Sequence, residues 1–501
     1  MKIISFCIAL FLSLNLYMMG FSQDSKVPVK KNGYKKVTSY AEISSFVKQL
    51  DESSELVKVE TIGKSVQNRD LYALKFSISE FGTDNKKLKV IFFAQQHGNE
   101  QSGKEGALLL AERLTKPEYR YLFEKIDLAI VPQMNPDGSE INSRRNGNNM
   151  DLNRNHMIMT EPEVVALHRF YEKYMFEVNM DVHEYWPFGD EYLKYGYRKN
   201  ADITLGTLTN LATSQKIRDF SNQTITSEVF KHVNQQGYST FVYCPGGPPG
   251  IDYIRHSTFD VNDGRQSFGI LNGFGFIQEG MNGFDTFTDN LERRAISQME
   301  GMFGMLLSCY QHAGEIKKIV KEERKKLSSG KDLEKISIIS EHVRNGQKLQ
   351  IPLFSYTTKT DSVVIVEDYR PVVKSLLDIK KPIGYLIPKN NTKLTDWAKR
   401  QNLVTGKLET KRNQKITMFE ILSIDSIDFE GDKTANPVLN EKTKTEFTDL
   451  QNYVYIPLHQ IKSNMIILAL EPKSILGLGT YTQFEELLTA GTTFPVLRIE
   501  E

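Results

Sequence analysis

The chain has 501 residues, 40% of them hydrophobic and 25% charged, with a formal net charge of +1. That length exceeds one ordinary hydrophobic core and calls for two domains, and the composition is that of a soluble globular protein. The near-neutral charge gives no electrostatic case for nucleic acid or an anionic membrane surface as a partner.

Residues 1–22 read as a secretory signal peptide. Lys2 supplies a positive start, Ile3 to Met19 an apolar run, and Gly20 and Ser22 the small residues ahead of a cut before Gln23. An uncleaved membrane anchor is the alternative reading of the same residues. No later segment approaches the roughly 20 apolar residues that span a bilayer. The expected mature protein is therefore secreted or periplasmic, with no stable membrane insertion. Cys244 and Cys309 follow the cut; an export compartment would allow a bridge between them, and two buried thiols are equally compatible.

Next come a helical pattern and a short strand, Val57 to Ile62, closed by Gly63. The runs "RDLYALKFS" and "KLKVIFFAQ" are rich in β-branched and aromatic residues and read as strands. "GKEGALLLAERL" reads as a helix and "IDLAIVPQMNPDG" as a buried strand ending in a turn. Helix "EPEVVALHRFYEKY", with Pro162 near its first turn, precedes strand "FEVNMDVHEY". Helical patterns over 202–219 and 223–236, a Gly/Pro-rich loop "CPGGPPGIDY", strand "NGFGFIQEG" and one long helix from about 290 to 327 complete an α/β domain with a largely buried sheet.

The charge-dense stretch 315–335 reads as a solvated helix end and linker, which places a catalytic domain at 23–330 and a second domain at 331–501. In the second, "DSVVIVEDY", "KPIGYLIP", "KITMFEIL", "NYVYIPL" and "NMIILALEP" read as strands and "TKLTDWAKRQNL" as a helix. This smaller β-rich domain holds His342 and His459 but no clustered ligand pattern, and reads as accessory.

Chemistry concentrates in the first domain. Ligand-bearing loops of open α/β sheets gather at the carboxyl ends of strands. His97 and Glu100 leave one such end in "QQHGNEQSG", and "NMDVHEY" delivers His183 from another. Two imidazoles and a carboxylate make a zinc set that leaves a fourth position open. The nearby Gly98 and Gly103 read as room for backbone near a metal and substrate. Between the ligand segments, "NPDGSEINSRRNGNNMDLNRNH" carries Arg144, Arg145, Asn153 and Arg154, residue types suited to clasping a carboxylate. Glu279 emerges at the end of an apolar strand, a setting that raises a carboxyl pKa toward acid/base work. Glu184, next to His183, should point to the opposite face.

Taken in order, "IGKSVQNRDLYALK", "HGNE", "NPDG", the paired arginines, "DLNRN", "DVHEY" and "FGFIQEG" make the sequence resemble the zinc carboxypeptidase family of the carboxypeptidase A type over residues 34 to about 310. The resemblance implies a mixed sheet of about eight strands flanked by helices. It implies one Zn2+ held by His97, Glu100 and His183, and a peptide substrate with a free C-terminal carboxylate. Glu279 matches the general base, Asn153 and Arg154 the carboxylate-binding pair, and Arg144, with Arg145 as the adjacent alternative, the carbonyl-polarising arginine.

Three departures from the family pattern stand out. No long prosegment fits between the predicted cut and the domain. The capping tyrosine is replaced by Arg255 at the expected spacing, with Tyr253 nearby. Arg265, if it lines the specificity pocket, would favour an acidic C-terminal residue. A deacylase or amidase acting on small acylated amino acids or cell-wall peptides, and a non-catalytic binding relative, are the competing functional readings.

Overall fold

The computed structural model describes residues 25–409, 414–429, 431–447 and 449–500. The expected signal peptide lies outside them. The first region is built on eight strands of one sheet: β1 (Val57–Lys64), β2 (Asp70–Phe76), β3 (Leu88–Ala94), β4 (Ile126–Val131), β5 (Val178–Tyr185), then, past a short β6 (Tyr197–Lys199), β7 (Ile203–Thr207), β8 (Thr240–Val242) and, past a short β9 (Ile254–Arg255), β10 (Phe274–Met281). Their spatial order is β1-β2-β4-β3-β5-β10-β7-β8. The central run β4, β3, β5 and β10 is parallel, and β1, β2 and β7 introduce antiparallel pairs, so the sheet is mixed.

β3 and β4 are apolar along nearly their whole length because both faces of this sheet are covered. Alternation along β3 sorts its side chains between two cores. Val90, Phe92 and Ala94 pack with helices Tyr40–Ser53, Gln101–Leu114 and Leu291–Gln311. Ile91 and Phe93 face the other way, into a core that also contains Ile336, Trp397 and Ile466 from beyond residue 330. The second region therefore closes one face of the first region's sheet.

That region contains β11 (Lys335–Val343), β12 (Leu349–Ser355), β13 (Thr360–Val366), β14 (Tyr369–Arg370), β15 (Val372–Lys380), β16 (Gly384–Pro388), β17 (Ile416–Phe429), β18 (Asp432–Lys444), β19 (Tyr453–Pro457) and β20 (Leu497–Ile499). Five of them form an antiparallel sheet in the order β18-β17-β20-β16-β19. Two pairings cross to the first region: β12 with β6, and β14 with β9.

Three local readings need correction. Residues 203–207 are strand β7, not helix; Ile203 and Leu205 point into the core, and β7 pairs antiparallel with β10. The expected single helix over 290–327 is two, Leu291–Gln311 and Ala313–Ser328, broken at His312. "NMIILAL" is a helix, Ser463–Leu470, buried on every side. A continuous apolar run of that length does not distinguish a core strand from a core helix.

Cys244 and Cys309 are both free, buried thiols in separate cores. Burial pushes the Cys244 thiol up to about 12, so it stays protonated and unreactive at neutral pH.

Trp397, in helix Thr392–Arg400, is fully buried, and its indole Nε1 donates to the Met157 carbonyl at 2.9 Å. Trp397→Ala should destabilise the chain by about 3–5 kcal/mol. Denaturant unfolding followed by fluorescence and circular dichroism measures this; an unchanged midpoint would contradict the shared core.

Candidate active site

β3 ends at Ala94, and the chain turns sharply there: Gln95 takes a left-handed φ of +59°. Its side-chain amide donates to the Gly98 carbonyl, the Gln101 side chain and Ser139 Oγ, which fixes the loop that carries His97. Gly98 is required here because a Cβ would sit 2.3 Å from the Gly138 backbone and 2.5 Å from the Ser143 carbonyl. The crowding comes from the 138–143 turn, and a Cβ on Gly103 would sit 3.1 Å from the Val182 side chain of β5. Gly98 thus serves close approach of two backbones and Gly103 packing against β5, a correction to the reading of them as room for metal and substrate.

Glu100 occupies the N-cap position of helix Gln101–Leu114 yet makes no capping bond. Its carboxylate turns inward instead. Oε1 lies 2.7 Å from His97 Nδ1, and Oε2 lies 2.9 Å from His183 Nδ1 and accepts from the Glu184 amide at 3.0 Å. The two Nδ1 atoms are 3.1 Å apart. Tetrahedral zinc with Zn–N bonds of about 2.0–2.1 Å requires nitrogens roughly 3.3 Å apart, so the spacing fits. One donor atom each from His97, Glu100 and His183 lies within 4.8 Å of the others, and all three residues are buried.

The far nitrogens of both rings face carboxylates. His97 Nε2 is 3.0 Å from Asp151 Oδ1, and His183 Nε2 is 2.8 Å from Asp181 Oδ1. This arrangement puts the proton on Nε2 and leaves each Nδ1 lone pair for a metal. Asp151 and Asp181 were not singled out in the sequence. Asp181 had a signal: it lies two residues before His183 on the same strand, hence on the same face. Asp181 Oδ2 also accepts from Gln96 Nε2 at 2.8 Å, and the same Gln96 amide donates to Asn153 Oδ1 at 3.0 Å.

Electrostatics follow from this packing. Burial raises the Glu100 carboxyl, but the His97 and His183 imidazoles outweigh it and hold the group well below the usual carboxylate range. Burial likewise opposes protonation of His183, and the Asp181 and Glu100 charges overcome it to lift that imidazole well above its ordinary value. Asp151 is held low by its bond to His97 and by Arg144 despite burial. The cluster is an anionic nest that asks for a cation.

In the β5–β10 ladder Glu279 stands directly opposite His183. Burial pushes its carboxyl up to about 7; the His183 charge draws it down and the Glu100 charge adds to the rise. Glu184 points to the opposite face, as strand alternation predicts. It forms a buried ion pair with Arg294 at 2.9 Å and accepts from the Ser102 amide.

A cavity of about 710 Å³ opens over these groups and is also lined by Arg144, Asn153, Arg154, Tyr243, Arg255 and Asp260. Arg144 donates from Nε to Asp151 Oδ2 at 3.0 Å and reaches Glu100 Oε1 at 3.5 Å. Asn153 Oδ1 accepts from Gln96 and from the Gly264 amide, which fixes its amide orientation. Arg154 donates to the Asn153 carbonyl, and neighbouring Asp260 and Asp151 keep it charged against the desolvating effect of burial.

Arg145 is not part of this lining: its guanidinium is exposed and donates to the Asn149 carbonyl. Tyr253 is also outside it, its ring lying under the Arg370 guanidinium at 3.9 Å. Arg265 is fully buried, bonded to Ser257, Thr258 and Asp263, and does not line the cavity. Arg265 therefore does not set an acidic preference; the cations that line the cavity are Arg144, Arg154, Lys199 and Arg255.

If Asp181 orients His183 as described, Asp181→Asn should weaken zinc binding by about 10–100-fold. Competition with a chromogenic chelator reads this directly, and an unchanged affinity would remove Asp181 from the metal centre.

Residues 43–246 match the family model described as zinc carboxypeptidase, a span holding His97, Glu100 and His183. Carboxypeptidase 2 of Trichophyton rubrum is 22% identical over 98% of this chain and 90% of that protein. Human carboxypeptidase D is 27% identical over 42% of this chain and 18% of that protein. Among solved structures, a metallo-carboxypeptidase from Burkholderia cenocepacia is 19% identical, with a TM-score of 0.44 over 55% of this chain and 70% of that one. One from Pseudomonas aeruginosa is 22% identical, with a TM-score of 0.43 over 56% and 70%. The triad geometry and the matched span lead to one conclusion: residues 43–246 carry the match to zinc carboxypeptidases, and the protein is a metallocarboxypeptidase, a hydrolase that acts on peptides.

Proposed function

We propose that the protein removes C-terminal residues from peptides bearing a free terminal carboxylate, with Glu279 as general base and Arg154, Asn153 and Arg144 as the groups that hold and polarise the substrate. The observation that carries this reading is the register that sets a carboxyl of raised pKa opposite His183, in the same cavity as Arg154.

Arg154 and the fixed amide of Asn153 receive the terminal carboxylate, which sets the last peptide bond over the triad. His97, Glu100 and His183 would hold zinc, which when bound would supply Lewis acidity toward the scissile carbonyl and a lowered pKa for a water. Glu279 takes one proton from the attacking water as the new C–O bond forms. It then delivers that proton to the departing amine nitrogen as the C–N bond breaks. Arg144, already aimed at the triad by Asp151, donates to the oxygen that becomes negative in the tetrahedral state. Asp151 and Asp181 hold the two imidazoles in the tautomer this arrangement needs.

The working unit is read as residues 23–330 with a further region at 331–501, exported by a signal peptide at 1–22; N-terminal sequencing of the exported chain should begin at Gln23.

Mass spectrometry of a mixed peptide pool should record stepwise shortening from the C-terminus. Glu279→Gln should lower kcat by about 10²–10⁴-fold with the metal retained. Because the base acts only when ionised, kcat/KM should fall on the acid side of its profile. Internal cleavage, or release of acyl groups from intact peptides, would overturn the exopeptidase assignment.

A further inference from the structure

Residues 156–158 follow closely on Asn153 and Arg154, and their backbone is held from beyond residue 330. Gln401, just past helix Thr392–Arg400, donates from Nε2 to the His156 carbonyl at 3.1 Å and to the Met157 carbonyl at 2.9 Å. Trp397 Nε1 donates to the Met157 carbonyl as well, and Arg400 donates to the Ile158 carbonyl at 3.4 Å. Gln401 is buried, and its own backbone carbonyl accepts from Lys462. Met157 and Ile158 pack in the same core as Trp397. Three successive carbonyls of one loop are thus paired by side chains of the other region, which fixes where His156 stands.

From His156 the network runs toward the cavity. A carboxylate only accepts, so the part of the Gln96 amide that faces Asp181 is its NH2 group, and the same nitrogen donates to Asn153 Oδ1. Gln96 Oε1 is then turned to His156, whose Nε2 lies 2.8 Å away and must carry the proton. Nδ1 of that ring faces His168 Nε2 at 2.9 Å, so a second buried imidazole braces the first. Asn153 Oδ1 receives both Gln96 and the Gly264 amide, which leaves Nδ2 as the group Asn153 turns to a substrate. Of the two bonds from Gln96, the one to the Asp181 carboxylate is charge-assisted and the stronger. Loss of the His156 contact would therefore loosen the hold on Asn153 first.

We propose that His156 and Gln401 are positioning residues for substrate binding: Gln401 sets the backbone at His156, and His156, through the Gln96 amide, aims Asn153 at the peptide's terminal carboxylate. The proposal rests on the reading of Asn153 as a carboxylate ligand and adds to it the residues that aim it and a task for residues 331–501. Neither His156 nor Gln401 lines the cavity, so both act through other groups.

The test uses the full-length, zinc-loaded protein and an N-acylated dipeptide substrate. His156→Phe, which keeps a buried ring and removes the donor to Gln96, should raise KM by about 3–10-fold, the loss expected for one neutral hydrogen bond, while kcat changes less than about 3-fold. His156→Gln puts an amide donor near the place of Nε2 and should bring KM back toward the wild-type value; no recovery would make His156 a packing residue only. Zinc affinity should hold in both variants because Gln96 stays on Asp181. A parallel loss of zinc would mean that the effect runs through the metal, against the proposal. Gln401→Leu should raise KM in the same direction by a smaller factor, and a wild-type KM there would remove the C-terminal region from the proposal. Should His156→Phe or Gln401→Leu melt early, Trp397→Phe, which keeps a ring in the core and removes the donor to Met157, replaces it, and wild-type KM in that folded variant counts against the proposal. Asn153→Ala separates the two levels of the argument. If it raises KM while His156→Phe leaves KM unchanged, the proposal fails and the carboxylate reading stands. If Asn153→Ala leaves KM unchanged, the carboxylate role of Asn153 fails, and the proposal with it.

Discussion

Everything at this site depends on the parallel pairing of β5 with β3 on one side and with β10 on the other. Asp181 lies opposite Phe93, Val182 opposite Ala94, and His183 opposite Glu279. A slip of one residue in β5 would exchange its two faces. His183 would turn toward the place now taken by Glu184 and Arg294, and the metal nest would lose a ligand and the Asp181 partner behind it. Because both faces of these strands are buried, the register is strongly specified, and the ligand geometry inherits that rigidity.

On this frame sits an electrostatic conflict that only a cation resolves. Glu100, Asp151 and Asp181 surround two imidazoles with little access to water. The Asp181 and Glu100 charges lift the His183 imidazole well above its ordinary pKa against the effect of burial. A divalent ion held by His97, Glu100 and His183 would offset the same carboxylate charge. The same buried setting raises the Glu279 carboxyl, so one feature of the packing shapes both the metal ligands and the carboxyl that faces them.

Much of this was legible in the sequence because it is carried by short segments. His97 and Glu100 leave a strand end three residues apart, His183 ends another strand, and an apolar strand announces Glu279. The mixed, largely buried sheet could be read from continuous apolar runs such as "KVIFFA". What escaped reading depends on distant partners. Whether 203–207 is strand or helix is decided by pairing with β10, and whether "NMIILAL" is strand or helix by the core around Trp397. Arg265 looked available for a pocket, but Asp263, two residues earlier, and the hydroxyls of Ser257 and Thr258 draw it inside. The positions of Lys199 and Arg255 are set by residues 353 and 370, more than a hundred positions away, and no local pattern encodes that.

The central claim is that His97, Glu100 and His183 form one zinc site. Calorimetric titration of the metal-free protein with zinc, repeated on His183→Ala, tests it most directly. The account predicts a single saturable site per chain that His183→Ala abolishes. No saturable zinc site, or an unchanged one in His183→Ala, would contradict it.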